Sequence, residues 1–285
     1  MAPILMKKIS FLIKHLKQKR RKKSLASFGP HTKYVVADTE FGPMICDPQD
    51  GGVTRQLLKW GNYNPNEIQH LLKFINCSQN MLLVGGHIGA LAIPLSRHVN
   101  KLSVIEANPE NFSLLNSNLK INNVSNCTTY NFAATSEKKD IHFLLSTENS
   151  GGSKIAPKKA KVQYLYDNPR KLLVEGMLLD DVLKPEFDIV IMDIEGSEFD
   201  AILGANSILK SATVFVVEFI PNHIFDVANR TINEFANLLL ELNFDHVEFP
   251  LHGAYGSPET ILKKTLIEIS TNRSYEDGII FSRKS

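Results

Sequence analysis

Carboxylates recur in this chain at the ends of short apolar runs: Glu106 after "LSVI", Asp193 and Glu195 after "IVIM", and Glu218 inside "VFVVEF". An acid at the carboxyl end of a buried strand faces the crevice where open α/β sheets bind their ligands. There it can accept hydrogen bonds from ribose hydroxyls or take a proton from a reacting group. Glu106 follows the glycines of "GGHIG" (85–89) by about 20 positions, the spacing at which a nucleoside-binding sheet places its ribose acid. Asp193 ends its own strand, which charge complementation of a helix explains poorly, whereas Glu198 suits a helix start. Glu195 and Glu218 flank the same rim without a commitment to ribose, and they rank first as general bases. His87, within the glycine loop, reads equally well as structural, and His223 reads as a loop residue rather than a base.

The elements that must hold these groups follow from periodicity. Met81–Gly85 is an uninterrupted apolar run, as in a strand buried on both faces. Gly85 and Gly86 open a tight turn, Gly89 admits a close helix start, and Leu91, Leu95 and Val99 repeat at helical spacing. Leu102–Ile105 is a second strand, after which Asn108 and Pro109 signal a helix N-terminus. "CTTYNFAA" reads as a third strand ended by Ala133, and "ENSGGSK" (148–154) as a flexible loop. Ile189–Met192 is a fourth strand, with Ser197 and Asp200 resembling a capping box behind it. "ATVFVVEF" (212–219), "FDHVEF" and "GIIFS" (278–282) supply strands five to seven, with a helix over 231–243 and no helix pattern between the last two strands. The alternation predicts a doubly wound, mostly parallel seven-stranded α/β sheet whose final strand is antiparallel. Ahead of it, "YVVADTEFGPMICD" reads as a hairpin and 51–75 as helical. Trp60 is expected in the core, and Tyr63 is a candidate pocket residue. The boundaries expected are a tail over 1–30, an accessory region over 31–76 and the main domain over 77–285.

The loop narrows the ligand. Dinucleotide sites use G-x-G-x-x-G to seat a pyrophosphate on bare backbone. Gly85-Gly86-His87-Ile88-Gly89 is looser and suits a ligand without phosphates, for which S-adenosylmethionine is the candidate. A nicotinamide or nucleotide-sugar enzyme on a similar fold, and a non-catalytic binding protein, stay open as alternatives.

Composition limits the rest. The 285 residues are 43% hydrophobic, enough for one sizeable α/β core. Cys46, Cys77 and Cys127 lack the spacing of a disulfide framework or a metal site, so no metal and a reducing, cytoplasmic setting are expected. No apolar run is long enough to span a membrane. Nine Lys or Arg and no acid fall in residues 1–23, which leaves 23 basic and 30 acidic residues for the remainder. The acidic body argues against a nucleic-acid substrate. In the head, Ile9, Leu12, Ile13 and Leu16 repeat at i, i+3, i+4 and i+7, so it reads as a solvated tail or a basic amphipathic helix on a membrane surface. Lys14 interrupts it too early for a secretory signal.

Together "LLVGGHIG", "IEANPENFSLLNSNLKIN", "NFAA", "LLDDVL", "FDIVIMDIEGSEFDAILGA" and "VVEF" resemble the FkbM-type S-adenosylmethionine-dependent methyltransferases, over about residues 80–220. The resemblance implies that Gly85, Gly86, His87, Gly89, Glu106, Ala107 and Asn108 hold the cofactor, with Ala133 near adenine and Asp193 facing the methionine end or the acceptor. It also implies transfer to a hydroxyl of a sugar, glycan or related small molecule. Leu83, Gly86, His87 and Ile191 stand where the family usually has Asp, Ala, Asn and Lys.

Overall fold

A computed structural model describes residues 31–284 except 160, 162, 163 and 166. The basic head, expected as a solvated tail or a membrane-surface helix, lies outside the described residues. The chain begins with an antiparallel hairpin, β1 (Val35–Thr39) and β2 (Gly42–Cys46), then two helices, α1 (Val53–Trp60) and α2 (Pro65–Leu71). The main alternation follows as β3 (Asn80–Val84), α3 (Ala92–Ser96), β4 (Lys101–Ile105), α4 (Pro109–Ile121) and β5 (Cys127–Tyr130). Next come β6 (Ala133–Ala134), β7 (Lys139–Leu145), β8 (Lys154–Ile155), β9 (Arg170–Met177) and α5 (Leu179–Val182). The chain resumes the main sheet with β10 (Ile189–Met192), α6 (Glu198–Leu203), α7 (Asn206–Ser211), β11 (Val214–Phe219), α8 (Pro221–Asp226) and α9 (Ile232–Leu240). It closes with β12 (His246–Phe249), β13 (Ala254–Gly256), α10 (Pro258–Thr271) and β14 (Glu276–Ser282).

The main sheet runs β13-β12-β14-β11-β10-β3-β4-β5. Pairing from β11 through β5 is parallel, and β14 lies antiparallel between β11 and β12. Alternate residues of the central strands enter two separate cores. Leu82, Val84, Val190, Met192, Phe215 and Val217 face α9 and α10, while Met81, Leu83, Ile189, Ile191, Val214 and Val216 face the hairpin side with Met44, Cys46, Leu57 and Ile68. A strand buried on both faces cannot alternate polar with apolar, hence the uninterrupted runs in the sequence.

Several expectations are corrected. The sheet has eight strands rather than seven, the extra one being the three-residue edge strand β13. A 14-residue helix, α10, separates strands β13 and β14 where no helix was expected. Its signal was present: Leu262, Leu266 and Ile269 are buried at helical spacing. "CTTYNFAA" is not one strand. It stops at Tyr130, the Asn131 side chain donates to the Glu106 carbonyl, and Ala133–Ala134 joins a second sheet ordered β6-β9-β7-β8. Trp60 is 56% exposed, with the Lys59 ammonium over its ring, so it packs into no core.

Candidate active site

Register sets the rim. Val84 pairs with Ile105 and Met192, Met192 pairs with Val217, and Ile105 pairs with Tyr130. Gly85, Glu106, Asp193 and Glu218 therefore each stand one residue past a matched row of the sheet. At Gly85 (φ +102°) an added Cβ would lie 1.9 Å from the Asp193 carbonyl oxygen, so only glycine lets the chain turn against its neighbouring strand. The Gly85 and Gly86 N–H groups both donate to the Ile105 carbonyl.

A cleft of about 210 Å³ opens above this row. Gly85, Gly86, His87, Glu106, Ala107, Ala133, Asp193 and Glu195 lie on its wall. Gly89 and Asn108 do not. Gly89 packs against Leu115 and Ile93. Asn108 caps α4, its side chain accepting from the Glu110 N–H. Glu106 is 7% exposed, and its two oxygens accept from the His87 and Asn108 N–H groups at 2.7 Å each. Burial nonetheless pushes its carboxyl up to about 7. Burial raises Asp193 well above the carboxylate range, with Glu195 adding repulsion. Leu83, in place of the family's Asp, is fully buried in the hairpin-side core and touches no cleft.

Beyond the strand ends the expected capping box is absent. The Ser197 hydroxyl caps nothing. The Glu198 carboxylate instead accepts from the Ile194 and Gly196 N–H groups at 2.9 and 3.3 Å. Between them Glu195 holds a left-handed backbone (φ 58°), as does His87 (φ 48°) in the glycine loop. Such outliers in bulky residues cluster at functional sites.

The segment 148–154 is anchored over the cleft. The Asp50 carboxylate accepts from the Ser150 N–H at 2.7 Å and from its hydroxyl at 3.2 Å, and His87 Nε2 meets that hydroxyl at 2.7 Å. Composition alone read this stretch as flexible. Its anchor, 100 residues away in sequence, carried no local signal.

The same segment ends at Lys154, which sequence reading missed. Its ammonium, on a residue 9% exposed, donates to Glu195 Oε2 at 2.9 Å and lies 3.3 Å from His223 Nε2. His223 Nδ1 faces Glu218 Oε2 at 3.9 Å. Lys154, Glu195, Tyr164 and His223 line a second cleft of about 300 Å³, and Glu195 and Asn149 are on the walls of both. Glu218 lines neither and sits behind His223. Among the described residues no cluster of His, Cys, Asp and Glu has the geometry to hold a metal ion.

The first cleft fits a nucleoside with an amino-acid tail. Phe132, Ala133, Phe143 and Ile155 give an apolar slot beside the Glu106 carboxylate. Three residues that line the cleft also carry buried polar atoms with no protein partner, Asn149 Oδ1, Ser197 Oγ and His87 Nδ1. Orphaned buried polar atoms on a cleft wall are groups a polar ligand can satisfy.

Among solved structures, the chain is similar to methyltransferase FkbM from Methylobacillus flagellatus at 16% identity and a TM-score of 0.44, with 72% of this chain covered and 43% of that one. It is also similar to M. jannaschii TYW2 in complex with AdoMet (13%, 0.44, covering 89% and 88%) and to precorrin-6y C5,15-methyltransferase from Geobacter metallireducens (11%, 0.42, covering 78% and 93%). The chain spans less than half the length of the first of these. No curated protein matches it. The methyltransferase FkbM domain model matches residues 84–248, more than half of the chain, and the protein therefore belongs to the FkbM methyltransferase family.

Proposed function

We propose that the protein transfers a methyl group to a hydroxyl of a sugar, glycan or related small molecule held in the second cleft. The supporting observation is that the Glu195 carboxylate lies on the walls of both clefts, so a group bound in one meets a group bound in the other beside it. S-adenosylmethionine supplies an electrophilic methyl on sulfur. Glu106 would accept from the ribose hydroxyls, Ala133 and Phe132 would bracket the base, and Asp193 with Ser197 and Asn149 would face the amino-acid end.

Displacement at a methyl carbon is in line, so most of the acceleration can come from alignment. Glu195 would accept the hydrogen bond of the acceptor's hydroxyl and fix its oxygen, itself fixed by Lys154. Glu218 reaches that point only through His223. Around the second cleft, Ser146, Asn149, Lys154 and Asn222 offer side chains of hydrogen-bonding type, and Tyr164 offers a ring, a lining that suits a polyol.

We also propose that the head over 1–23 contacts anionic membrane, with the enzyme in the reducing cytoplasm, where its three unpaired cysteines would stay reduced. No helix among the described residues is long and apolar enough to cross a membrane.

The test of the acceptor class offers a labelled methyl donor to glycan, small hydroxylated, protein and RNA pools. Label is expected in the hydroxylated pools. Glu195→Gln should bind S-adenosylhomocysteine as the wild type does and turn over roughly 100-fold more slowly. Label confined to protein or RNA overturns the assignment.

A further inference from the structure

The acceptor cleft carries an imidazole that orientation of a hydroxyl does not use. His223 comes from α8, at the end of β11, and is 8% exposed. Its Nε2 converges with Lys154 Nζ (3.3 Å) and Glu195 Oε2 (3.6 Å), and the residue lines the second cleft. Its Nδ1 is buried, has no hydrogen-bond partner and faces Glu218 Oε2 across 3.9 Å.

We propose that His223 is a catalytic residue, the acceptor of the proton that leaves the substrate hydroxyl, with Glu218 as the positioning residue behind it. The proposal rests on the hydroxyl-acceptor reading given above. Three observations carry it. First, Glu195 Oε2 already accepts from the Lys154 ammonium at 2.9 Å, which suits that carboxylate to anchoring. Second, a donor at Nε2 selects the tautomer with its proton on Nδ1, which aims that N–H at Glu218 and leaves Nε2 as the acceptor. An incoming hydroxyl takes the place of Lys154 at Nε2, and Lys154 keeps Glu195. Third, burial and then the Lys154 charge hold His223 down to about 3, so the ring is uncharged and Nε2 carries its lone pair rather than a proton. Glu218, whose carboxyl burial and then Asp193 raise well above the ordinary carboxylate range, is the group that answers the imidazolium, and it is close enough to hydrogen-bond after a shift of about 1 Å. Among the described residues, its other titratable neighbours include Lys154, Glu195 and Tyr164, whose ring centre is 6.2 Å from that of His223.

The step balances. The acceptor oxygen gains the methyl, the pair of the broken carbon–sulfur bond stays on sulfur, and the O–H proton passes to Nε2. The sulfonium charge is thereby replaced by an imidazolium charge, and the open cleft returns the proton to water.

The test uses the full-length protein, labelled methyl donor and methyl glycosides of glucose, galactose, mannose and rhamnose as probes. Expected is label in the probes with wild type, at least a 100-fold lower turnover with His223→Ala, an unchanged S-adenosylhomocysteine affinity, and partial recovery on adding imidazole. Glu195→Gln should show no imidazole recovery. Glu218→Gln should lower kcat about tenfold at unchanged KM. His223→Asn, nearer in size, guards against a folding defect in the alanine variant, and its melting temperature is read alongside. Turnover within threefold of wild type in either His223 variant overturns the base assignment and leaves the hydroxyl reading intact. Loss of turnover with no imidazole recovery also overturns it. No label in any probe with wild type overturns the hydroxyl reading, and the base with it.

Discussion

Glu106 shows how one residue can be read from spacing and still surprise. Its place at the end of β4 follows from the sequence, but its two backbone hydrogen bonds and its upward shift to about 7 come from burial under the glycine loop. The folded carboxyl then binds a proton more tightly than the unfolded one, ordinarily near 4.5. Its contribution to stability is greatest below that value and is lost as pH rises through about 7. The stability difference between wild type and Glu106→Gln, taken from urea denaturation, should therefore fall as pH rises from about 4.5 to about 7. A difference flat with pH contradicts this. The same variant should remove most of the rise in melting temperature that S-adenosylhomocysteine gives the wild type by linkage. His223 was the residue most undervalued in sequence, because nothing in "FIPNHIF" announces that Lys154 and Glu195 converge on it.

A glycine turn and a tether govern the site at the scale of elements. Gly85 has the left-handed backbone and the close approach to Asp193 together, whereas Gly253 has φ +64° and open space around it. Alanine at Gly253 should cost about 1 kcal/mol, from backbone strain alone. Alanine at Gly85 should cost several times more, since a strand end must move, and thermal denaturation of the pair separates the two causes. The tether is Asp50, which is 5% exposed and also accepts from the Thr54 N–H at the start of α1. It ties segment 148–154 to the accessory helices and so positions both the cleft wall at Asn149 and the ammonium of Lys154. Asp50→Asn should weaken S-adenosylhomocysteine binding about tenfold in calorimetry, the size of a lost charge-assisted hydrogen bond. Unchanged affinity would show that the segment keeps its place without Asp50. The glycine turn was legible because backbone needs are local. The tether was not, because its partners are distant in sequence.

For the molecule as a whole, charge is divided between a basic head and an acidic body. Deleting residues 1–23 should abolish salt-sensitive binding to anionic vesicles and leave S-adenosylhomocysteine affinity unchanged. Equal vesicle binding by the two forms rules out the anchor. The body's sheet was written in the sequence: runs such as "MLLV" and "IVIM" have no polar position because both faces are buried, and the acids that follow them are placed by strand register. The glycine turn, the strand-end positions of Glu106 and Asp193 and the strand-helix alternation were all legible there, since each depends on a few adjacent residues and a fixed period. Tertiary structure alone decided the second sheet over 133–177, the burial of Lys154 and the meeting of two clefts at Glu195. The contacts that assemble the site join segments far apart in sequence, Lys154 with Glu195 across 41 residues and Asp50 with Ser150 across 100. No local periodicity encodes such a contact. It exists only once the core has fixed where each segment ends and burial has removed the water that would otherwise satisfy its polar groups.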